Sequence, residues 1–169
     1  MQRIFVYCFL IFSILYSCAE DLELKTEDIS GVHLSKGYVL KIETSEDISW
    51  VSKQSCTLEY IENGKSVLYT ARLKCRGGAS SKYEKHSYSL EIDTSINLCG
   101  VAVDDDWILN ASYIDKTFQR HKLSYDLFRE MDTSNVAARS AYAQIYLNGE
   151  FQGLYIVMEE INGSMIGLL

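Results

Sequence analysis

Period-two alternation of apolar and polar residues places the strongest constraint on how this chain can fold. Such alternation is typical of strands with one buried face. Asn63-Gly64 and Asn148-Gly149 each separate two strand-like segments. Both residue types tolerate the positive φ that a two-residue hairpin turn needs, so the pattern predicts antiparallel hairpins. The clearest alternating segments are residues 38–43, 71–76, 88–92 and 142–147, and residues 66–69 form a further strand-like segment. Gly153, inside the strand predicted after Asn148-Gly149, indicates a bulge or a close backbone approach.

One helix is predicted, over residues 115–131, with Ser112 and Asp115 as candidate N-caps. Its apolar residues fall on two opposite sides, and a helix of this kind is expected to lie between two bodies. Positions 114, 118, 125 and 128 share one side, and positions 123, 127 and 131 share the other. The predicted fold class is therefore α+β, an antiparallel β-sheet with one main helix.

The first 18 residues have the pattern of a signal peptide, with Arg3 before an apolar run over residues 4–16. Residues 15–18 resemble a bacterial lipobox, which makes Cys18 a candidate for lipidation. Plain secretion and an uncleaved anchor remain alternatives. Residues 19–36 are acidic and are interpreted as a tether. We expect an exported protein, either a cell-envelope lipoprotein or a secreted one, that contacts the membrane only through a lipid anchor.

Composition limits the remaining possibilities. The chain has 169 residues, 47% of them hydrophobic, which suits one globular domain. Its net charge of −7 argues against a nucleic-acid partner. Cys56, Cys75 and Cys99 leave one cysteine odd in any disulfide scheme, and Cys75 is interpreted as a core residue. Residues 104–106 are three aspartates, interpreted as a solvated loop because neighbours on an extended chain point opposite ways.

The segment between two of the predicted strands, residues 76–87, carries the chemistry that most suggests a ligand. Gly77, Ser80 and Ser81 are small enough for backbone N–H groups to approach an anion, and Arg76 and Lys85 add positive charge. The spacing is not that of a Walker A loop. The segment is therefore interpreted either as a phosphate cradle or as a solvated hairpin connection.

Three blocks together resemble the spore coat protein H (CotH) kinase family. The first block is Arg76-Gly77-x-x-Ser80-Ser81 with Lys85-x-Ser87-Tyr88. The second block is Trp107-x-Leu109 followed by Asp115 and Arg120. The third block is the hairpin over residues 146–155, which closes on Met158-Glu159. They occur in the family's order. His86 and His121 stand where the family often has lysine and asparagine.

The resemblance implies an atypical protein kinase fold, with residues 37–169 as its N-terminal lobe and the C-terminal lobe missing. It also implies ATP, Mg²⁺ or Mn²⁺, and a secreted or surface protein as substrate. Arg120 needs a partner or a wet cleft on its helix face, unless it snorkels. The implied nucleotide-binding residues are Arg76, Gly77, Ser80 and Ser81 over the phosphates, Lys85 on a phosphate, Arg120, and Met158 and Glu159 near the adenine.

No residue after Asn162 can supply the aspartate and metal ligands that a kinase-like second lobe provides. We therefore expect this chain by itself to be inactive, with no catalytic or metal-binding residue of its own. The alternative function is that of a non-catalytic surface lipoprotein that binds protein or glycan.

Overall fold

A computed structural model describes residues 37–163, in which seven strands and one α-helix make up most of the regular structure. About half of these residues lie in strands. The strands are β1 (Tyr38–Glu43), β2 (Gln54–Glu62), β3 (Lys65–Arg76), β4 (Ser87–Asn97), β5 (Val103–Asn110), β6 (Ser140–Leu147) and β7 (Glu150–Glu159). The helix α1 spans Arg120–Met131, and two short 3-10 helices span Ala79–Lys82 and Leu98–Gly100.

The seven strands close into a barrel in the order β1-β2-β3-β4-β5-β7-β6. Every neighbouring pair is antiparallel except β1 and β6, which pair in parallel from Tyr38↔Ala143 to Ile42↔Leu147. The β6–β7 turn reinforces this closure. The Asn148 backbone N–H donates to the Ile42 carbonyl (2.9 Å), and the Asn148 side-chain Oδ1 accepts from the Thr44 N–H (2.9 Å).

This barrel shows that the predicted fold class was wrong. The α+β class, an antiparallel sheet resembling the N-terminal lobe of a protein kinase, is replaced by a closed and mostly β structure. Hairpin turns specify only which strands are neighbours along the chain. The closing β1–β6 pair runs parallel and joins residues more than 100 positions apart, so no local signal predicts it.

The barrel interior holds the main core and confirms the alternation read from the sequence. Ala71, Leu73 and Cys75 on β3 are buried, as are the alternate residues of β4. Residues 66–69 and 71–76, which were read as separate segments, are parts of the single strand β3. The largest fully buried side chains include Trp107, Tyr155, Leu40, Ile42, Leu58, Leu73, Leu90, Leu109 and Ile145.

A second, smaller cluster lies on the outer face of β7. Ile156 and Met158 are buried there, although Tyr155 and Val157 on the same strand face the barrel interior. Tyr125 of α1 packs against this outer cluster. The helix therefore covers one strip of the barrel wall, which explains why the second half of β7 is buried on both faces.

Both predicted hairpin turns are present, with positive φ at Asn63 (50°) and Asn148 (49°) and at the glycine that follows each. The predicted irregularity at Gly153 is also confirmed, because the register shifts from Ile145↔Gly153 to Tyr146↔Phe151. Gly153 has φ of 93°. The three aspartates at 104–106, however, lie in β5, so their interpretation as a loop was wrong.

The helix begins at Arg120, five residues later than predicted. Phe118 adopts a positive φ of 56°, which breaks the helical conformation before that point. Of the apolar side predicted at positions 114, 118, 125 and 128, Tyr125 packs against the outer cluster, Phe128 is 46% exposed, and positions 114 and 118 precede the helix. Leu123, Leu127 and Met131 are 53%, 54% and 80% exposed, and no described residue buries them.

Cys56, Cys75 and Cys99 are all buried free thiols, in agreement with the interpretation of Cys75 as a core residue. Among residues 37–163, no helix is both long and apolar enough to cross a membrane. The predicted signal peptide (1–18), the Cys18 lipidation site and the tether (19–36) lie outside the described residues.

Candidate functional site

A cleft of about 230 Å³ opens where the β3–β4 connection meets β5, β7 and the first turn of α1. Four of the eight residues predicted from the sequence to bind nucleotide line it, and the other four do not. The lining residues are Arg76, Gly77, Ser80, Ser87, Ile108, Asn110, His121, Tyr125 and Met158.

The loop at one side of the cleft has a conformation that requires glycine. Gly77 has φ of 124°, and a Cβ built on it would lie 2.0 Å from Ser80 Oγ. The following 3-10 turn is closed by the Ser81 N–H and hydroxyl, which both donate to the Gly78 carbonyl (3.2 and 2.7 Å). Ser81 thus holds the loop together, whereas Ser80 lines the cleft.

Arg76 supplies the positive charge of the cleft. It is the last residue of β3, and its Nη1 donates to Glu160 Oε1 at 3.1 Å. The side chain is partly exposed. A guanidinium carries five N–H donors in a planar fork, so a contact with one carboxylate leaves geometry suited to an oxyanion.

Asn110 and His121 both line the cleft and contact each other, with Asn110 Nδ2 3.1 Å from His121 Nδ1. The other end of the amide is fixed, since Asn110 Oδ1 accepts from the Ser112 N–H (2.9 Å). Asn110 Nδ2 also lies 3.8 Å from Met158 Sδ. Sequence reasoning did not place either polar residue in a site. Asn110 follows the Trp107-x-Leu109 pattern, but nothing local shows that the end of β5 meets the start of α1.

Lys85 does not line the cleft. Its Nζ donates to the Leu154 carbonyl (2.6 Å) and lies 4.1 Å from the Tyr155 ring centroid and 5.1 Å from that of Phe118. Burial, with a further contribution from the nearby positive charge of Lys116, lowers the Lys85 pKa to about 8. The ring and carbonyl contacts favour the charged ammonium and so oppose this shift, which comes from the loss of water and from Lys116.

Arg120 also lies outside the cleft lining, and its side chain is 72% exposed. It partners Asp115, with Arg120 Nε 3.2 Å from Asp115 Oδ1 and the Arg120 backbone N–H donating to Oδ2 (2.8 Å). Asp115 is buried and also accepts from the Thr117 hydroxyl (2.7 Å). The Thr117 hydroxyl and the Arg120 donors hold the Asp115 pKa well below its usual range. The pair therefore fixes the start of α1.

Met158 and Glu159, predicted near an adenine, have different surroundings. Met158 lines the cleft with its side chain. Glu159 is buried, and its carboxylate accepts from the Arg139 N–H (2.6 Å) while its own N–H donates to the Arg139 carbonyl (3.2 Å). Glu159 borders a separate cavity of about 390 Å³ with Arg139 and Asp104.

Within residues 37–163, no group of three or more His, Cys, Asp or Glu side chains is arranged to hold a metal ion. The polar groups that do converge are those of the cleft, where one guanidinium, two serine hydroxyls, an amide and an imidazole meet. The arrangement suits recognition of an anion.

Comparison with known proteins places these observations in a family. A family model described as CotH kinase protein matches residues 73–167. The inner spore coat protein H of Bacillus subtilis (strain 168) is 29% identical over 87 residues, which cover 52% of this chain and 23% of that protein. The chain thus spans about a quarter of the length of this curated relative. Because the family model covers more than half of the chain, this protein belongs to the CotH kinase protein family.

Proposed function

We propose that this chain forms the nucleotide-binding part of a kinase that transfers phosphate from ATP to a secreted or surface protein. The observation that carries the proposal is the cleft, in which Arg76, the Gly77–Ser80 loop and Met158 lie together. The family description names a kinase, and the relative's name places that protein in a spore coat. A bacterial, exported location for this chain is part of the proposal, and so is a lipid on Cys18.

The size and donors of the cleft favour the phosphate end of the nucleotide. Its volume of about 230 Å³ is below the roughly 300–1,000 Å³ of pockets that enclose whole small molecules. An arginine fork binds phosphate oxygens in pairs, and a small-residue loop lets backbone N–H groups approach them. We assign Arg76, Gly77 and Ser80 to the phosphates. Mg²⁺ or Mn²⁺ would bind together with ATP, and we assign no protein side chain as a metal ligand.

A thermal-shift experiment on the full chain tests this proposal. A ligand present at ten times its dissociation constant stabilises the folded state by about 1.4 kcal/mol. For a domain of this size, that corresponds to a rise in Tm of roughly 3–6 °C. We expect such a rise with ATP and Mg²⁺ or Mn²⁺ in the wild type, and a much smaller one in Arg76→Ala.

Arg72→Ala is the matched control. Arg72 lies on the same strand and also pairs with a glutamate, Glu91, but it does not line the cleft. It should keep the full ATP-dependent shift. No shift in the wild type at millimolar ATP, or equal losses in the two variants, would count against the proposal.

A second function, that of a non-catalytic protein-binding module, is favoured by the exposed face of α1. Leu123, Leu127 and Met131 present an apolar strip to solvent. Contiguous apolar surface of this kind often marks a protein contact. The same experiment separates the two functions, because a module without a nucleotide site gives no shift with ATP in any variant.

A further inference from the structure

We infer that His121 donates a hydrogen bond from Nε2 to a phosphate oxygen of the bound nucleotide, and that Asn110 is a positioning residue that fixes the ring tautomer. This inference rests on the proposed nucleotide site and names a residue that determines its specificity. The ligand class is a phosphate or pyrophosphate oxyanion.

The orientation of the Asn110 amide is set by the backbone. The Ser112 N–H can only donate, and it contacts one end of the amide at 2.9 Å. That end must therefore be the oxygen, Oδ1. The NH₂ group is left to face His121 Nδ1 at 3.1 Å and Met158 Sδ at 3.8 Å.

The orientation of the amide in turn selects the tautomer of His121. An NH₂ group donates, so the ring nitrogen that it contacts must accept and carry no proton. In a neutral imidazole the proton then resides on the other nitrogen, Nε2. His121 is thereby converted from a residue with two possible tautomers into a fixed Nε2–H donor at the cleft.

The remaining residues of the cleft determine which ligand suits that donor. Among the described residues that line the cleft, none carries a carboxylate, and Arg76 contributes a guanidinium of which Nη1 pairs with Glu160. Ser80 and Ser87 contribute hydroxyls, although Ser87 Oγ already accepts from the Ala111 N–H (3.0 Å). A donor-rich cleft with one positive charge favours an oxyanion over a neutral or cationic ligand.

Histidine nitrogen NMR tests the tautomer directly. We would label the histidines of the full chain with ¹⁵N and record two-bond ¹H–¹⁵N spectra at pH 8. We expect His121 to show a protonated Nε2 and an unprotonated Nδ1, and its Nε2 resonance to move when pyrophosphate or ATP is added. His86 does not line the cleft and serves as an internal control that should not move.

Binding measurements on variants test the roles of His121 and Asn110 in phosphate binding. His121→Ala should weaken ATP and pyrophosphate binding about tenfold, the loss expected for one hydrogen bond to a charged ligand. Asn110→Ala should weaken binding about threefold and allow the Nδ1–H tautomer to appear. Ser124→Ala, on the same helix but outside the cleft, should bind as the wild type does. Adenosine should not shift the His121 resonances.

The outcomes separate this inference from the proposed function. If the wild type binds neither ATP nor pyrophosphate, both fail. If it binds them and His121→Ala binds equally well, only the inference is overturned. An Nδ1-protonated His121, or equal responses to adenosine and ATP, also overturns it. Should His121→Ala fold poorly, the wild-type spectra and His121→Gln still decide the matter.

Discussion

The conformation of Gly77 supports a prediction about the loop that borders the cleft. Alanine at this position must adopt φ of 124°, a region that is nearly restricted to glycine. Its Cβ would also meet Ser80 Oγ at 2.0 Å, so the serine side chain must move. We expect Gly77→Ala to distort the loop and displace the Ser80 hydroxyl from the cleft.

The expected loss in the free energy of unfolding follows from the backbone conformation at this position. A non-glycine residue held in such a conformation costs about 1–3 kcal/mol. Urea unfolding of Gly77→Ala should show a loss within that range, less whatever the loop recovers by rearranging. Because the loop contributes to the proposed phosphate contacts, ATP affinity should also fall about tenfold or more.

The neighbouring glycine supplies the control. Gly78 has φ of −90°, and a Cβ built on it meets nothing within 4 Å. Gly78→Ala should therefore lie within about 0.5 kcal/mol of the wild type in stability, as exposed substitutions usually do. Equal stabilities for the two alanine variants would refute the reasoning about the loop, and unchanged ATP affinity in Gly77→Ala would separate the loop from the site.

Three further predictions concern titration and barrel closure. Competitive acetylation followed by mass spectrometry should give Lys85 a pKa of about 8. Because the folded state loses this proton at a lower pH than the unfolded state does, the free energy of unfolding should rise between about pH 8 and 10. The Lys85→Met variant should not show that rise. Asp115→Asn should lower the Tm at pH 7, and this difference should shrink as the pH falls below about 3.8, since the stabilisation from a lowered carboxyl pKa disappears on protonation. Asn148→Gly should cost about 1 kcal/mol in urea unfolding because it removes the bond to Thr44, and Asn148→Ala should cost about 1 kcal/mol more because φ stays positive. A Lys85 pKa above 10, a pH-independent Tm difference, or an Asn148→Ala variant as stable as Asn148→Gly would contradict the respective prediction.

Local structure could be predicted from the sequence because local residues determine it. Alternation specified the buried faces of β3 and β4, and the two Asn-Gly pairs specified hairpin turns. The glycine at 153 marked a bulge before any pairing was known. Each of these features depends on residues within a few positions of one another.

Barrel closure and the start of the helix could not be predicted in this way. The β1–β6 pairing depends on contacts between distant segments. The helix starts late because Asp115 contacts Thr117 and the Arg120 N–H, and Phe118 takes a positive φ. The residue types near position 115 fit a helix that starts there as well as one that starts at Arg120, so the sequence pattern could not decide between the two starting points.

The cleft brings together only some of the residues predicted to bind nucleotide, and the others lie elsewhere for a common reason. Arg76, Gly77 and Ser80 are close in sequence and lie together in the cleft. Lys85 is nearly as close in sequence, yet its side chain bonds to the Leu154 carbonyl beside Tyr155. Side-chain direction in a loop depends on which distant element packs against it, and that information is not present in the local pattern.

The most direct test of the nucleotide site is to map ATP binding by backbone amide NMR of the ¹⁵N-labelled full chain. We predict saturable shifts that are largest at Gly77, Ser80, Asn110 and His121. Amides around the separate cavity of about 420 Å³ bordered by Tyr60, Glu62 and Tyr69 should be unaffected. Shifts centred on that second cavity, or none at millimolar ATP with Mg²⁺, would contradict the assignment of the cleft as the phosphate site.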